Sequence, residues 1–487
     1  MTRTLWLLFL AGLIGLGPVL ASGPGASFGA ALAQDDDDDD GDDGDDDDDD
    51  DRPRRAGPAD RDRDRSQRII RAPQRRVQQA APTPQRRVQQ PAPRPAPPPP
   101  PPPVAVPNEI VVLALADADL AALQAQGFTL IEERSLESLD AVARRLRTPQ
   151  GVTLTAARDL VRAQPSGTTA DLNHYYRSEQ GFDPGCAGID CPIRTGFGWT
   201  LPTDRAQGCG AGLRIGVVDT GLNPDHETFA GADLTVLDFA PLQDGASRAL
   251  HGTAVAALLV GRPDTRSPGL VPQASVVAID PFHRTGGDER ADVFSLLDAI
   301  DRVAQQDVGV LNLSLAGPPN AALTQLVRHL VTNRDIVVVA AAGNAGPRAK
   351  PQHPAAIAEV LAVTAVDRDQ QVYRRAVQGV HIDLAAPGVD VWTAASVSGA
   401  RPKTGTSFAV PFVTAAAGLL RLAEPDLSAV AVKARLKAAA TDLGPEGMDP
   451  VFGAGLVPAA DATCRIGAAR AMPAPLSAPM PAAIVAE

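Results

Sequence analysis

From Leu213 onward the sequence alternates short apolar, β-branched runs with longer stretches of helical spacing. The runs span 214–218, 275–279, 308–313, 336–341 and 360–366. The helical stretches span 252–260, 290–305, 321–331 and 407–422. A strand that is apolar throughout, rather than at every second residue, is covered on both faces. Alternation with helices makes such strands parallel, so the predicted class is α/β with a doubly wound parallel sheet. Ligands in such sheets bind at the carboxyl ends of the strands, and chemistry is to be sought along that edge.

Four segments bring reactive groups to it. The strand 214–218 runs directly into Asp219-Thr220-Gly221, an acid at a strand end followed by a glycine turn. Strand-Asp-x-Gly also occurs where doubly wound folds bind nucleotides or metals. His251-Gly252-Thr253 opens a helix on small residues that leave the imidazole accessible, although a single histidine there is more often structural. The strand 337–341 leads into Ala342-Gly343-Asn344, whose amide can donate to a developing oxyanion or simply form a turn. Gly405-Thr406-Ser407 opens an alanine-rich apolar helix and sets a hydroxyl beside unpaired backbone N–H groups and the positive end of the helix dipole. The bland alternative for Ser407 is a helix N-cap. Pro411 is expected in the first helical turn, where its missing N–H is not needed.

Taken together, these segments resemble the subtilisin-like serine proteases, the subtilases, over roughly Leu213 to Asp461. The order Asp, His, Ser is the one that general accounts of the triad give for subtilisin itself. The resemblance implies Ser407 as nucleophile, His251 as general base and then acid, Asp219 as the group that orients the imidazole, and Asn344 with the Ser407 N–H as oxyanion hole. It implies that Ser314-Leu315-Ala316-Gly317 pairs with substrate as an added strand, and that protein or peptide substrates are the partners. Three positions depart from the family's usual residues: Ala254, Phe408 and Phe412. None belongs to the triad. No cofactor is implied. Many subtilases carry structural calcium, and the sequence shows no convincing acidic cluster for it. Two rival readings stand beside it: a catalytically silent binding protein on this fold, or a surface- or cation-binding protein acting through the aspartate-rich region at 35–103, with a passive globular part.

The rest of the chain fits a secreted precursor. Residues 1–33 have the form of a secretory leader, with Arg3, an apolar core over 5–20 and Ala31-Leu32-Ala33 as cleavage site, which gives a secreted, periplasmic or envelope location without a membrane span after removal. Of the net charge of −13, 15 aspartates lie in 35–51, so the remainder is near −13 + 15 = +2, and no nucleic-acid partner follows. The 34–107 segment is expected not to fold alone: after the aspartates come 13 Arg over 52–96, a heptapeptide repeated at 73–79 and 84–90, and a proline run over 97–103. Residues 108–176 have a βαββαβ pattern, a ferredoxin-like arrangement. Given the resemblance, this is the size and place of a subtilase propeptide, a second partner of the peptidase, cut from it between His174 and Gln180. The peptidase domain is expected over 177–462, with an Ala/Pro-rich tail over 463–487. The four cysteines, at 186, 191, 209 and 464, suit an oxidising compartment and allow three pairings.

Overall fold

The computed structural model describes residues 101–178, 197–201, 204–240 and 245–466. The leader, the aspartate- and arginine-rich segments, Cys186, Cys191 and the tail beyond Ile466 lie outside the described residues.

The amino-terminal domain runs β1 (Ala105–Leu113), α1 (Asp117–Ala125), β2 (Thr129–Leu136), β3 (Ala141–Arg147), α2 (Leu154–Arg162) and β4 (Asp171–Ser178), in βαββαβ order. Its antiparallel strands are ordered β2-β3-β1-β4. The period of two along β1 explains why Ile110 to Leu113 is apolar without a break. Ile110 and Val112 join Leu123, Leu146 and Val161 in the domain's own core. Val111 and Leu113 face the other way and join the core of the larger domain.

The larger domain follows with β5 (Arg214–Val218), β6 (Asp233–Leu237), α3 (His251–Val260), β7 (Ser275–Ile279), β8 (His283–Thr285), β9 (Asp288–Asp292), α4 (Val293–Ala304), β10 (Val310–Leu313), β11 (Leu315–Ala316), α5 (Ala321–Thr332), β12 (Val337–Ala341), β13 (Leu361–Val366), β14 (Leu384–Pro387), β15 (Val391–Ala394), β16 (Ala400–Lys403), α6 (Thr406–Ala423) and α7 (Ala429–Ala438). Its main sheet is parallel, ordered β14-β13-β12-β10-β5-β7-β6. On one side of β5 the chain first forms the edge strand β6 and then fills the place between them with β7; it next crosses to β10 and winds outward through β12, β13 and β14 on the other side. The switch point thus lies between β5 and β10, where a crevice opens at the strand ends. A disulfide joins Cys209 to Cys464.

Three local readings differ from the sequence expectations. The stretch 290–305 begins as strand β9, and the helix starts only at Val293, because the Asp292 carboxylate accepts from Phe294 N and Ser295 N and caps it there. Strand β6 escapes the apolar pattern because it is an edge strand with mostly exposed residues. Pro411 lies in the second turn of α6, not the first. Its missing N–H leaves the Ser407 carbonyl without a helical donor, and the Ser314 hydroxyl takes that carbonyl at 2.9 Å. Helix α6 is long and apolar enough to cross a membrane, but 83% of it is buried inside the protein, so its apolarity belongs to the core.

The amino-terminal domain sits with its sheet against α4 and α5. Strand β4 delivers oxygens to both helix starts: Asn173 Oδ1 accepts from Phe294 N at 3.2 Å, and Asp171 Oδ2 accepts from Ala321 N at 3.1 Å. From α4, Asp301 accepts from the backbone of Glu137 and Ser138. Strand β4 also carries His174, whose Nδ1 lies 3.2 Å from the Asn320 side-chain amide. Burial lowers the pKa of His174; Asp171 opposes the shift and Arg158 adds to it. The docked histidine is therefore held neutral, while a released one titrates near the ordinary value of about 6.5. Docking should weaken as pH falls through that range, because the released form gains the proton first. Protection factors along β4 in the full chain, corrected for the intrinsic pH dependence of amide exchange, should be lower at pH 5 than at pH 8, and His174→Gln should reduce that difference; an unchanged difference would assign it to other groups.

Candidate active site

Asp219 leaves the carboxyl end of β5 at the switch point, and His251 is the first residue of α3. His251 Nδ1 lies 2.6 Å from Asp219 Oδ1, which also accepts from Thr220 N at 2.7 Å. With a carboxylate as its partner, Nδ1 carries the proton, and Nε2 is left as the acceptor. Nε2 is buried and has no hydrogen-bond partner among the described residues. Gly252 makes the approach of the two elements feasible: a Cβ there would lie 2.3 Å from the Thr220 carbonyl oxygen. Its N–H donates to Thr220 Oγ1 at 3.0 Å, so the turn after Asp219 and the start of α3 are stitched together.

Ser407 enters from the opposite side, as the second residue of α6, with the ring of the following Phe408 centred 5.1 Å from that of His251. Its Oγ donates to the Ser314 carbonyl at 2.8 Å. Asn344 follows β12, and its Oδ1 accepts from both the N and Oγ1 of Thr406, each at 3.1 Å. Thr406 Oγ1 in turn accepts from Gly343 N. An amide has one acceptor oxygen, so tying Oδ1 to Thr406 fixes Nδ2 on the opposite side. The fold therefore brings Asp219, His251, Asn344 and Ser407 to one edge of the parallel sheet, each buried.

The segment from Ser314 to Gly317 borders the same edge, and β4 lies on it. Leu315 pairs with Ser178 and Ala316 with Arg177, antiparallel. On its other side β4 pairs with β9, Tyr175 with Asp292 and Tyr176 with Ala291. The Tyr176 ring is fully buried against Gly317, where a Cβ would come within 2.5 Å of it, and its hydroxyl donates to the Pro318 carbonyl at 2.7 Å.

Two contributors escaped sequence reasoning. Thr406, which orients Asn344, has no distinguishing signal in the sequence. Asp280 does have one, since it follows β7 just as Asp219 follows β5. Asp280 Oδ2 accepts from Ser247 Oγ at 2.6 Å, and that hydroxyl accepts from Gly221 N at 2.7 Å. The carboxyl thus braces the turn behind Asp219. Burial pushes it up to about 7, against the bonds from Ser247 and Phe282 N, and the nearby Asp219 and Glu289 add to the rise. Among the described residues no group of three or more His, Cys, Asp or Glu side chains is placed to hold a metal.

Residues 210–455 match the subtilase family. Subtilisin BL of Lederbergia lenta is 34% identical over 258 residues, which cover 52% of this chain and 91% of that one. Subtilisin DY of Bacillus licheniformis is 34% identical over 250 residues, 49% of this chain and 88% of that one. In structure, fervidolysin from Fervidobacterium pennivorans, a keratinolytic enzyme related to subtilisin, matches with a TM-score of 0.60 over 74% of this chain and 61% of its own, at 18% identity, a likeness of fold alone.

Asp280 generates a stability prediction. A carboxyl whose pKa rises on folding favours the fold less as pH climbs from the ordinary value to the raised one, here from 3.8 to about 7. The loss is up to about 4 kcal/mol, complete above pH 7. Asp280→Asn keeps an acceptor for Phe282 N and a neutral partner for Ser247. Its stability relative to the parent should therefore increase between pH 4 and pH 8, read by thermal unfolding in a Ser407→Ala background that prevents self-digestion. A constant difference across that range would refute the assignment.

Proposed function

The chain belongs to the subtilase family and is a serine endopeptidase, and we propose that it acts through Asp219, His251 and Ser407 by way of an acyl-enzyme, as a secreted protein made in zymogen form. The observation that carries the reading is the 2.6 Å contact of His251 Nδ1 with Asp219, which leaves Nε2 buried and without a hydrogen-bond partner among the described residues, beside the start of the serine helix.

In this reading the Ser407 hydroxyl turns from the Ser314 carbonyl to His251 Nε2, gives up its proton there and attacks the substrate carbonyl carbon. The oxygen that becomes negative is met by Asn344 Nδ2 and the Ser407 backbone N–H, which the start of α6 presents with its positive dipole end. Asp219 stabilises the imidazolium, which then protonates the leaving amine. The acyl-enzyme is hydrolysed by water through the same steps, with His251 again as base. Substrate lies as an antiparallel strand on Ser314, Leu315, Ala316 and Gly317, the mode in which β4 occupies β11.

That occupancy supports the zymogen reading, with residues 108–176 as propeptide. Ala316 pairs with Arg177 and Leu315 with Ser178, and Ser314, the residue before Leu315, is the one that Ser407 touches, so a cut one residue beyond Ser178 is the one this register favours. The bond we assign to self-cleavage is therefore Glu179–Gln180. The leader at 1–33 supports export.

Ser407→Ala should abolish peptidase activity and labelling by a fluorophosphonate, and should accumulate with the amino-terminal domain still attached. The secreted parent should begin at Gln180 on N-terminal sequencing; a fully active chain beginning near Gln34 would refute the propeptide role and leave the triad intact. Asn344→Ala should lower kcat about 10²–10³-fold with little change in KM, because its amide meets charge that exists only in the transition state. A change confined to KM would reduce Asn344 to a turn residue.

A further inference from the structure

Beside the reacting groups, β4 makes a charged contact at the rim of the cleft. Arg177 reaches across to Asp288 at the start of β9 and makes a paired contact, Nε to Oδ1 at 2.7 Å and Nη2 to Oδ2 at 2.8 Å. Asp288 is not left to find this geometry by chance. Arg290, almost fully buried, holds Oδ2 through Nη1 at 2.6 Å and covers the face of Tyr175 at 3.9 Å. Oδ1 of Asp288 has Arg177 as its hydrogen-bond partner, so departure of β4 frees an oriented carboxylate oxygen at the rim of the cleft. Glu289, the next residue of the strand, turns its side chain away to the backbone N of Arg248. The sheet pairing fixes the register: with Tyr176 seated over Gly317 and its hydroxyl on the Pro318 carbonyl, the following side chain is directed to Asp288.

We propose that Asp288 is a specificity-determining residue of this peptidase, selecting substrates with arginine at the third residue before the bond that is cut. The inference rests on the peptidase reading and on the register of β4, in which Arg177 is third before Glu179–Gln180. A planar guanidinium meets both carboxylate oxygens, which a lysine ammonium, as a single point charge, does not. The preference therefore runs Arg above Lys, above neutral side chains, and lowest for Asp or Glu, whose charge opposes Asp288.

The test uses the enzyme matured from the full chain and quenched fluorescent peptides with the sequence of residues 173–182, in which position 177 is Arg, Lys, Ala or Asp. The parent enzyme should cleave the Arg peptide with kcat/KM about tenfold above the Ala peptide, and the Asp peptide more slowly still. Asp288→Asn should bring the Arg and Ala peptides to within about twofold, and Asp288→Lys should reverse the order of Arg and Asp. Equal cleavage of all four peptides by the parent enzyme would overturn the proposal and leave the Arg177 pair as a docking contact only; this arm needs no variant to fold. An Arg preference that survives in Asp288→Asn would likewise overturn it. Absence of cleavage of every peptide, together with a Ser407 that takes no fluorophosphonate, would instead sink the peptidase reading on which the proposal stands.

Discussion

Pro411 has no N–H to give, so the Ser407 carbonyl lacks its helical donor, and the Ser314 hydroxyl supplies one. The return bond, from Ser407 Oγ to the Ser314 carbonyl, closes a reciprocal pair between the start of α6 and the end of β10. Asn312 braces the pair by donating to Ser314 Oγ while its own oxygen accepts from Thr414, two turns along α6. All four residues are fully buried, where a polar group left unpaired costs about 1–3 kcal/mol. That cost pins where α6 begins. Phe408 then meets the His251 ring, and Thr406 meets Asn344. A shift of one residue in the helix would undo each of these contacts.

The amino-terminal domain uses the same physics from outside. Helices α4 and α5 present their electropositive starts to β4, and Asn173 and Asp171 answer with oxygens. The helices do not depend on the domain for their caps. Asp292 already accepts from Phe294 N, which it shares with Asn173, and Asn320 already accepts from Leu323 N. Release of the domain thus leaves both helix starts served from within, while Val111, Leu113 and Tyr176 lose their apolar cover. Docking is in this sense a second layer of capping over an apolar face.

Much of this was legible in the sequence. Unbroken apolar strands between helices specify a parallel sheet, and Asp219, Asn344, His251 and Ser407 stand at strand ends or helix starts, the positions that reach its edge. What was not legible depended on pairing across sequence distance. Arg290 and Asp292 fit helical spacing with the residues after them, and only pairing across the sheet draws them into β9, Arg290 with His283 of β8 and Asp292 with Tyr175 of β4. Asp288 looks like any polar residue in a Gly-rich turn until Arg177, far upstream, is set beside it. The missing N–H of Pro411 points to the first turn; its place in the second depends on Ser314, from another part of the chain, which meets the carbonyl left open.

The disulfide between Cys209 and Cys464 has a consequence of a different kind. It spans 255 residues and encloses Asp219, His251, Asn344 and Ser407 within one covalent ring. In the chain-entropy account, closing so long a loop disfavours the unfolded chain by about 5 kcal/mol. A ring also tolerates a cut as a linear chain does not. A peptide bond severed within a surface loop between the two cysteines opens the ring into a still-connected chain and releases no fragment. For an enzyme that meets its own kind at high concentration, a single clip therefore leaves both pieces tethered, able to separate only when the sulfur bond is reduced.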